Sequence, residues 1–250
     1  KKNGFIIREI ENKKSLNRKQ LKFINLIKKN YKLKKKYTNL EILNFFHNKI
    51  SKNNLNSFRL KVYNSINKDP NFKYHYFEVA KPFIEAIAGN ELAMQKKINL
   101  SIQLPGDDSS LLAVHSDVWA GDSPFEIVVW VPLVNCFKTK TMYILPPNKN
   151  DKFNKKVSKV TYSDNEKVYQ LIKKEVKWIK INYGQVLIFN QSLPHGNRVN
   201  QEKETRWTLN CRFKNIFTPY GDKKIGEFFE PITLRPISEL GLKYKLPKMK

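Results

Sequence analysis

The chain has 250 residues, 40% of them hydrophobic and including 16 Phe, 11 Tyr and 4 Trp. That is enough apolar surface for a packed core and excludes wholesale disorder. The formal charge is +25, but the chain lacks zinc-finger spacing, an RRM signature and arginine–aromatic interleaving, so no dedicated nucleic-acid module is expected.

The basic residues are concentrated, with 14 Lys and Arg in positions 1–36 against only Glu9 and Glu11. The chain is equally rich in Asn and Ile, as drift towards Lys, Asn and Ile codons would produce, and the lysines are read as solvated surface. Nucleic-acid binding is then at most weak and sequence-blind. No run reaches the length of a membrane span and no apolar block resembles a secretory signal, so membrane insertion is not expected. Two cysteines, Cys136 and Cys211, fit a reducing compartment, which makes the cytoplasm the expected location. Cys211 stands in an apolar alternation and reads as core.

In chain order, Phe5-Ile6-Ile7 suggests an edge strand. From Ser15, a candidate N-cap, helical spacing runs through Leu21, Phe23-Ile24, Leu26-Ile27 and Tyr31, and Lys32–Lys36 reads as a solvated charge run. Thr38-Asn39 offers a cap for a second helix reaching Ile50, and a third is expected over Leu55–Ile66, before a turn at Asp69-Pro70. Tyr74–Lys96 reads as largely helical, with Pro82 and Gly89 marking breaks or ends. His47 and His75, without partners at ligand spacing, read as structural.

After Lys97 the texture becomes β-like. Strands are expected at Ile98–Leu104, Leu111–His115, Phe125–Val131, Thr141–Leu145, Glu175–Ile181, Gln185–Asn190 and Arg206–Ile216, with Gly, Pro and Asp turns between. Helices followed by strands predict an α+β chain. It consists of a mainly helical basic region (1–96), a jelly-roll, cupin-like double-stranded β-helix (97–217) with a lysine-rich insert (149–174), and an irregular proline-rich extension (218–250).

Chemistry concentrates in Leu111–Leu133, LLAVHSDVWAGDSPFEIVVWVPL. His115 and Asp117 stand two apart, on one face of an extended backbone. A second histidine, His195, ends another apolar run. Two imidazoles and one carboxylate make a facial triad that leaves one side of an octahedral metal open, a geometry typical of non-haem Fe(II) oxygenases. Eleven residues later, Arg206-Trp-Thr-Leu-Asn-Cys-Arg-Phe213 alternates polar and apolar residues. Arg206 and Thr208 share the polar face, and a guanidinium there can grip the distal carboxylate of a dicarboxylic acid, with the Thr208 hydroxyl donating beside it.

The pattern His115-x-Asp117, His195, Arg206-x-Thr208 resembles that of the Fe(II)/2-oxoglutarate-dependent oxygenases, and most of all the phytanoyl-CoA-hydroxylase-like branch. The wording around Gln103-Leu-Pro-Gly-Asp, His-Ser-Asp and Met142-Tyr-Ile-Leu-Pro resembles oxygenases of bacterial carbohydrate-biosynthesis clusters. The family's frequent Pro-Gly-Ser-His turn before the insert is replaced by Leu145-Pro146-Pro147-Asn148. The resemblance covers about 97–216. It implies Fe(II) held by His115, Asp117 and His195, O₂ and 2-oxoglutarate as cosubstrates, and Arg206 and Thr208 on the distal carboxylate. Gln103 is a further candidate cosubstrate or substrate contact, and Trp130 and Tyr143 are candidate pocket walls. Asn197 is first of all turn chemistry. The implied reaction is hydroxylation of a small molecule such as a sugar or sugar-derived metabolite, with release of succinate and CO₂. Two alternatives stand beside it: a zinc-dependent hydrolase on the same triad, with Glu126 a poor general base among apolar neighbours, and a non-enzymatic carbohydrate- or nucleic-acid-binding jelly roll.

Overall fold

The structure, a computed structural model, describes residues 3–32, 37–157 and 164–248. The expected charge run after Lys32 and the middle of the lysine-rich insert, 158–163, lie outside the described residues.

Helices α1 (Lys13–Asn30), α2 (Asn39–Asn44), α3 (Lys52–Asn67) and α4 (Pro70–Ala88) precede most of the sheet, and side chains fix their starts. Asn12, not Ser15, caps α1, its Oδ1 accepting from the Ser15 amide at 3.0 Å. Thr38 and Glu41 form a reciprocal capping box on α2. That helix stops at Asn44, short of the expected Ile50, and a 3₁₀ turn over Phe46–Asn48 follows. The Asp69-Pro70 pair is the cap and first residue of α4, where proline's missing amide hydrogen is not needed. Pro82 lies inside α4, which ends at Gly89 with φ +85°. The expected continuation to Lys96 is therefore wrong: Leu92–Gln95 is a fully buried strand, β2. A short apolar run of this kind fits a helix end or a buried strand equally well by periodicity.

The larger sheet runs β1 (Phe5–Glu9), β7 (Gln185–Asn190), β4 (Ile127–Pro132), β9 (Arg206–Asn215), β2 and β10 (Phe229–Thr233), with β3 (Asn99–Gln103) pairing the first half of β9. All its pairings are antiparallel. A smaller sheet joins β6 (Lys177–Trp178), β5 (Tyr143–Ile144) and β8 (His195–Gly196). Phe5-Ile6-Ile7 is an edge strand, as its sequence suggests. The extension is more regular than its prolines imply. β10 pairs with β2 on the sheet's other edge, with a register shift at Pro231 where the missing amide hydrogen is tolerated, and α7 (Pro236–Lys243) follows.

The expected strand Leu111–His115 forms only one bridge, His115 to His195. Leu112 accepts from the Asn197 amide while His115 exchanges both backbone bonds with His195. Three residue steps on one side oppose two on the other, and the extra residue breaks the ladder. The insert forms α5 (Pro147–Val157) and α6 (Asn165–Ile172), whose Phe153, Val168 and Ile172 pack on Val114, Tyr143 and Leu145.

Strand β9 divides the molecule. Trp207, Leu209, Cys211 and Phe213 are fully buried on one face. There Trp207 meets Phe23, Phe46 and Phe58 edge-on and donates its Nε1–H to Leu43 O at 3.0 Å. Tyr76 of α4 stacks on Phe213 and donates to Val129 O at 2.7 Å. Burial contributes about 1.5–3 kcal/mol per large side chain, so this face anchors the helices to the sheet. The opposite, polar face of β9 looks towards the smaller sheet.

Candidate metal centre

His115, Asp117 and His195 converge, with one ligand atom from each lying within 4.8 Å of the others. The paired backbones of His115 and His195 bring their rings to 4.2 Å between centroids. Ser116 is extended, so His115 and Asp117 share a side. The Asp117 amide bonds Gln191 O at 3.1 Å, which ties this segment to the one leading into His195. Each imidazole points its Nδ1 at a backbone carbonyl, His115 at Ala113 O and His195 at Leu193 O, both at 2.8 Å. A carbonyl only accepts, so Nδ1 carries a proton in both rings, and in the neutral ring this leaves the Nε2 lone pair free, the form a metal requires. His115 Nε2 stands 3.5 Å from Asp117 Oδ1.

Burial alone would raise the Asp117 carboxyl. Its neighbours His115, His195 and the Arg212 guanidinium together outweigh it and hold the group far below the usual carboxylate range. Burial, with His115 beside it, lowers His195 to about 4. Asp117 and His195 are therefore deprotonated near neutral pH, as the ligand role demands.

The His195 shift predicts an acid sensitivity. An unfolded histidine titrates near about 6.5, so as pH falls from there to about 4 the unfolded chain gains a proton that the native one refuses. Stability of the metal-free protein falls across that window by up to roughly 3 kcal/mol, and the contribution vanishes above it. The depressed Asp117 carboxyl adds a separate loss, below about pH 4. Urea unfolding at about pH 7 and about pH 4.5 should show the His195 loss in the wild type and a clear reduction of it in His195→Gln. An undiminished loss in the variant would mean that another group is responsible.

A cavity of about 350 Å³ opens beside the triad. Four residues of the polar face of β9 border it: Arg206, Thr208, Asn210 and Arg212. Opposite in register on β3, Ser101 faces Thr208 and Asn99 faces Asn210. Arg206 is 3% exposed and donates from Nη1 to Thr141 O at 3.0 Å and from Nη2 to Ser101 Oγ at 2.9 Å. Among the described residues no carboxylate pairs with it, and burial pulls its pKa down to about 10. Its Nε and the hydroxyls of Thr208 and Thr141 are buried without hydrogen-bond partners among the described residues. A buried cation with no counter-ion is costly, and orphaned polar atoms gathered around it suit an anionic guest.

The other sequence candidates fall into place differently. Gln103 is fully buried opposite Arg206 but lies off the cavity, with its Nε2 donating to Arg198 O at 2.8 Å. Trp130 and Asn197 border the cavity. Asn197 Oδ1 also accepts from the Leu112 amide at 2.7 Å. Tyr143 turns away from the cavity to Tyr169 and Trp178, and its neighbour Met142 borders the cavity instead, as strand alternation requires. The sequence does not single out Ser101, Thr141 and Asn99, although Ser101 and Asn99 sit at alternate positions of a predicted strand, opposite the polar face of β9. Both cysteines are buried, and burial raises both thiols.

No family model matches the sequence, and neither does any curated protein. Solved structures do match. AviO1 from Streptomyces viridochromogenes Tue57 is 14% identical with a TM-score of 0.55, over 88% of this chain and 93% of that one. The apo form of the non-heme monooxygenase ThoJ is 12% identical with a TM-score of 0.50, over 93% of this chain and 82% of that one. Over nearly its whole length, the chain has the fold of AviO1 and of ThoJ.

Proposed function

We propose that the chain is a non-haem Fe(II)- and 2-oxoglutarate-dependent oxygenase, acting in the cytoplasm on a small molecule such as a sugar or sugar-derived metabolite. On this reading the two sheets form a double-stranded β-helix. Residues 97–217 are its catalytic core, with 1–96 as helical support, 149–174 as an insert and 218–250 as an extension. The observation that carries the reading is Arg206: a buried cation without a carboxylate partner among the described residues, bordering the same cavity as a His-Asp-His triad. The likeness in fold to ThoJ, described as a non-heme monooxygenase, supports it.

The donor set fits the metal. Two neutral imidazoles and one carboxylate suit iron, and three protein ligands leave positions for an oxo acid and O₂. His115, Asp117 and His195 would hold Fe(II), which supplies the oxidising chemistry when bound, coupled to conversion of 2-oxoglutarate to succinate and CO₂. The chain's own residues bind and orient. Arg206 and Thr208 offer a guanidinium and a hydroxyl to the distal carboxylate, while Thr141 O and Ser101 hold the Arg206 fork in plane. Val128, Trp130, Met142 and Phe189 give the cavity apolar walls that limit water around the reacting groups.

A hydrolytic zinc site would need a free base beside the metal. Glu126 is buried away from the cavity, its carboxylate accepting from Gln191 at 2.9 Å and from the Ser123 amide at 3.2 Å. Anaerobic addition of Fe(II) and then 2-oxoglutarate should produce a visible charge-transfer band, and admission of O₂ should yield succinate. A protein that binds Fe(II) yet gives neither band nor succinate is not this enzyme.

A further inference from the structure

We propose that the C-terminal extension is part of the metal centre. Lys223, Asp122 and Arg212 form a chain of alternating charges that ends on the Asp117 carboxylate and positions it as a ligand. The inference rests on the metal reading above.

The links are short and mostly buried. Lys223 Nζ lies 2.6 Å from Asp122 Oδ1 and 2.7 Å from Oδ2. Arg212 Nη2 lies 3.5 Å from Asp122 Oδ2 and 2.9 Å from Asp117 Oδ1. The Asp122 side chain is 1% exposed and that of Arg212 14%. Arg212 cannot swing freely. Its Nε donates to Gln191 Oε1 at 2.9 Å, and the Gln191 amide nitrogen is itself held by Ser123 O and Glu126. Nη1 reaches Gln95 Oε1 at 3.4 Å, and the Phe228 ring lies 5.9 Å from the guanidinium.

The extension also clamps the loop that carries Asp117. The Asp222 amide donates to Gly121 O at 2.8 Å, and Ser123 Oγ donates to Pro219 O at 2.6 Å. Gly121 has φ +85°, which favours glycine, and a Cβ at Gly221 would stand 2.1 Å from the backbone Gly121 O, so only glycine allows this approach. Two carboxylates flank the guanidinium and offset its charge. It therefore holds Asp117 through a fixed ion pair, its charge shared with Asp122 rather than set wholly against the metal. Arg212 and Lys223 are thus positioning residues, and nothing in the spacing of Lys223, which follows Asp117 by more than a hundred positions, reveals the connection.

The test is Mn(II) affinity of the full chain, read from the EPR signal of free Mn(II), with thermal unfolding in parallel. Arg212→Met should weaken Mn(II) binding about 10- to 100-fold, the range for loss of a group that orients a ligand. Arg212→Lys should recover part of the loss, because an ammonium keeps the charge but not the planar fork. Lys223→Met should weaken binding less, and the double variant should be no worse than Arg212→Met, since Lys223 acts through Arg212. The Lys223 side chain is 30% exposed, so this variant still tests the outer link should Arg212→Met fail to fold. Unchanged Mn(II) affinity in a folded Arg212→Met protein, or in Lys223→Met, would overturn the relay alone. A wild-type chain that takes up no Mn(II) would sink the metal reading and the relay with it.

Discussion

Asp117→Ala should lose Mn(II) or Fe(II) affinity by more than about 100-fold, because removing a direct ligand exceeds the 10–100-fold typical of its supporting partners. The triad contains a single carboxylate, so the variant also loses the only formal negative charge among its three ligands. Succinate formation should vanish with the metal. The protein should still fold: Arg212 keeps Asp122 at 3.5 Å, and the bond from the residue 117 amide to Gln191 O does not involve the side chain. Asp117→Asn separates charge from shape, since it fills the same space but offers a neutral oxygen, and it should bind metal more weakly than the wild type. Metal content after dialysis, measured beside thermal unfolding, decides the matter. Full occupancy in a folded Asp117→Ala protein would refute the ligand assignment.

The parts of this site that the sequence exposes are those with a local signature. His115 and Asp117 are two residues apart on extended backbone, and β9 announces its two faces through strict alternation, with Trp207, Leu209, Cys211 and Phe213 buried and Arg206, Thr208, Asn210 and Arg212 bordering the cavity. Caps were legible to within a turn, since Asn12 and Ser15 are both good N-caps and only the packing of α1 chooses between them. Features set by tertiary pairing were not legible. Leu92–Gln95 is a strand because β9 and β10 flank it, and β10 tolerates Pro231 because it lies at an edge. The break at Leu111–His115 follows from one surplus residue opposite 195–197, a count that no single segment contains. The electrostatic setting of Asp117 likewise depends on Arg212, Asp122 and Lys223, which meet only in three dimensions.

Arg206→Met should weaken 2-oxoglutarate binding about ten- to a few hundredfold without loosening the metal. The charge-assisted contact it removes contributes roughly 1.5–3 kcal/mol, and every 1.4 kcal/mol is about a factor of ten. Arg206→Lys should restore only part of the affinity, because an ammonium cannot make two parallel bonds to a carboxylate. The metal-free protein supplies a second, opposite expectation. A structural arginine stabilises the fold, whereas a buried guanidinium without a carboxylate costs several kcal/mol of desolvation that its bonds to Thr141 O and Ser101 Oγ only partly offset. Arg206→Met fills similar volume without the charge, so its midpoint for unfolding should hold or rise while cosubstrate affinity falls. Calorimetric titration of 2-oxoglutarate into Mn(II)-loaded protein and unfolding of the metal-free protein read the two effects separately. Unchanged affinity would exclude Arg206 as the anchor, and a large loss of stability with unchanged affinity would make it an ordinary structural residue. A fall in affinity with stability held is the signature of a charge buried in advance for its ligand, where the ligand's carboxylate supplies the counter-ion that the chain withholds.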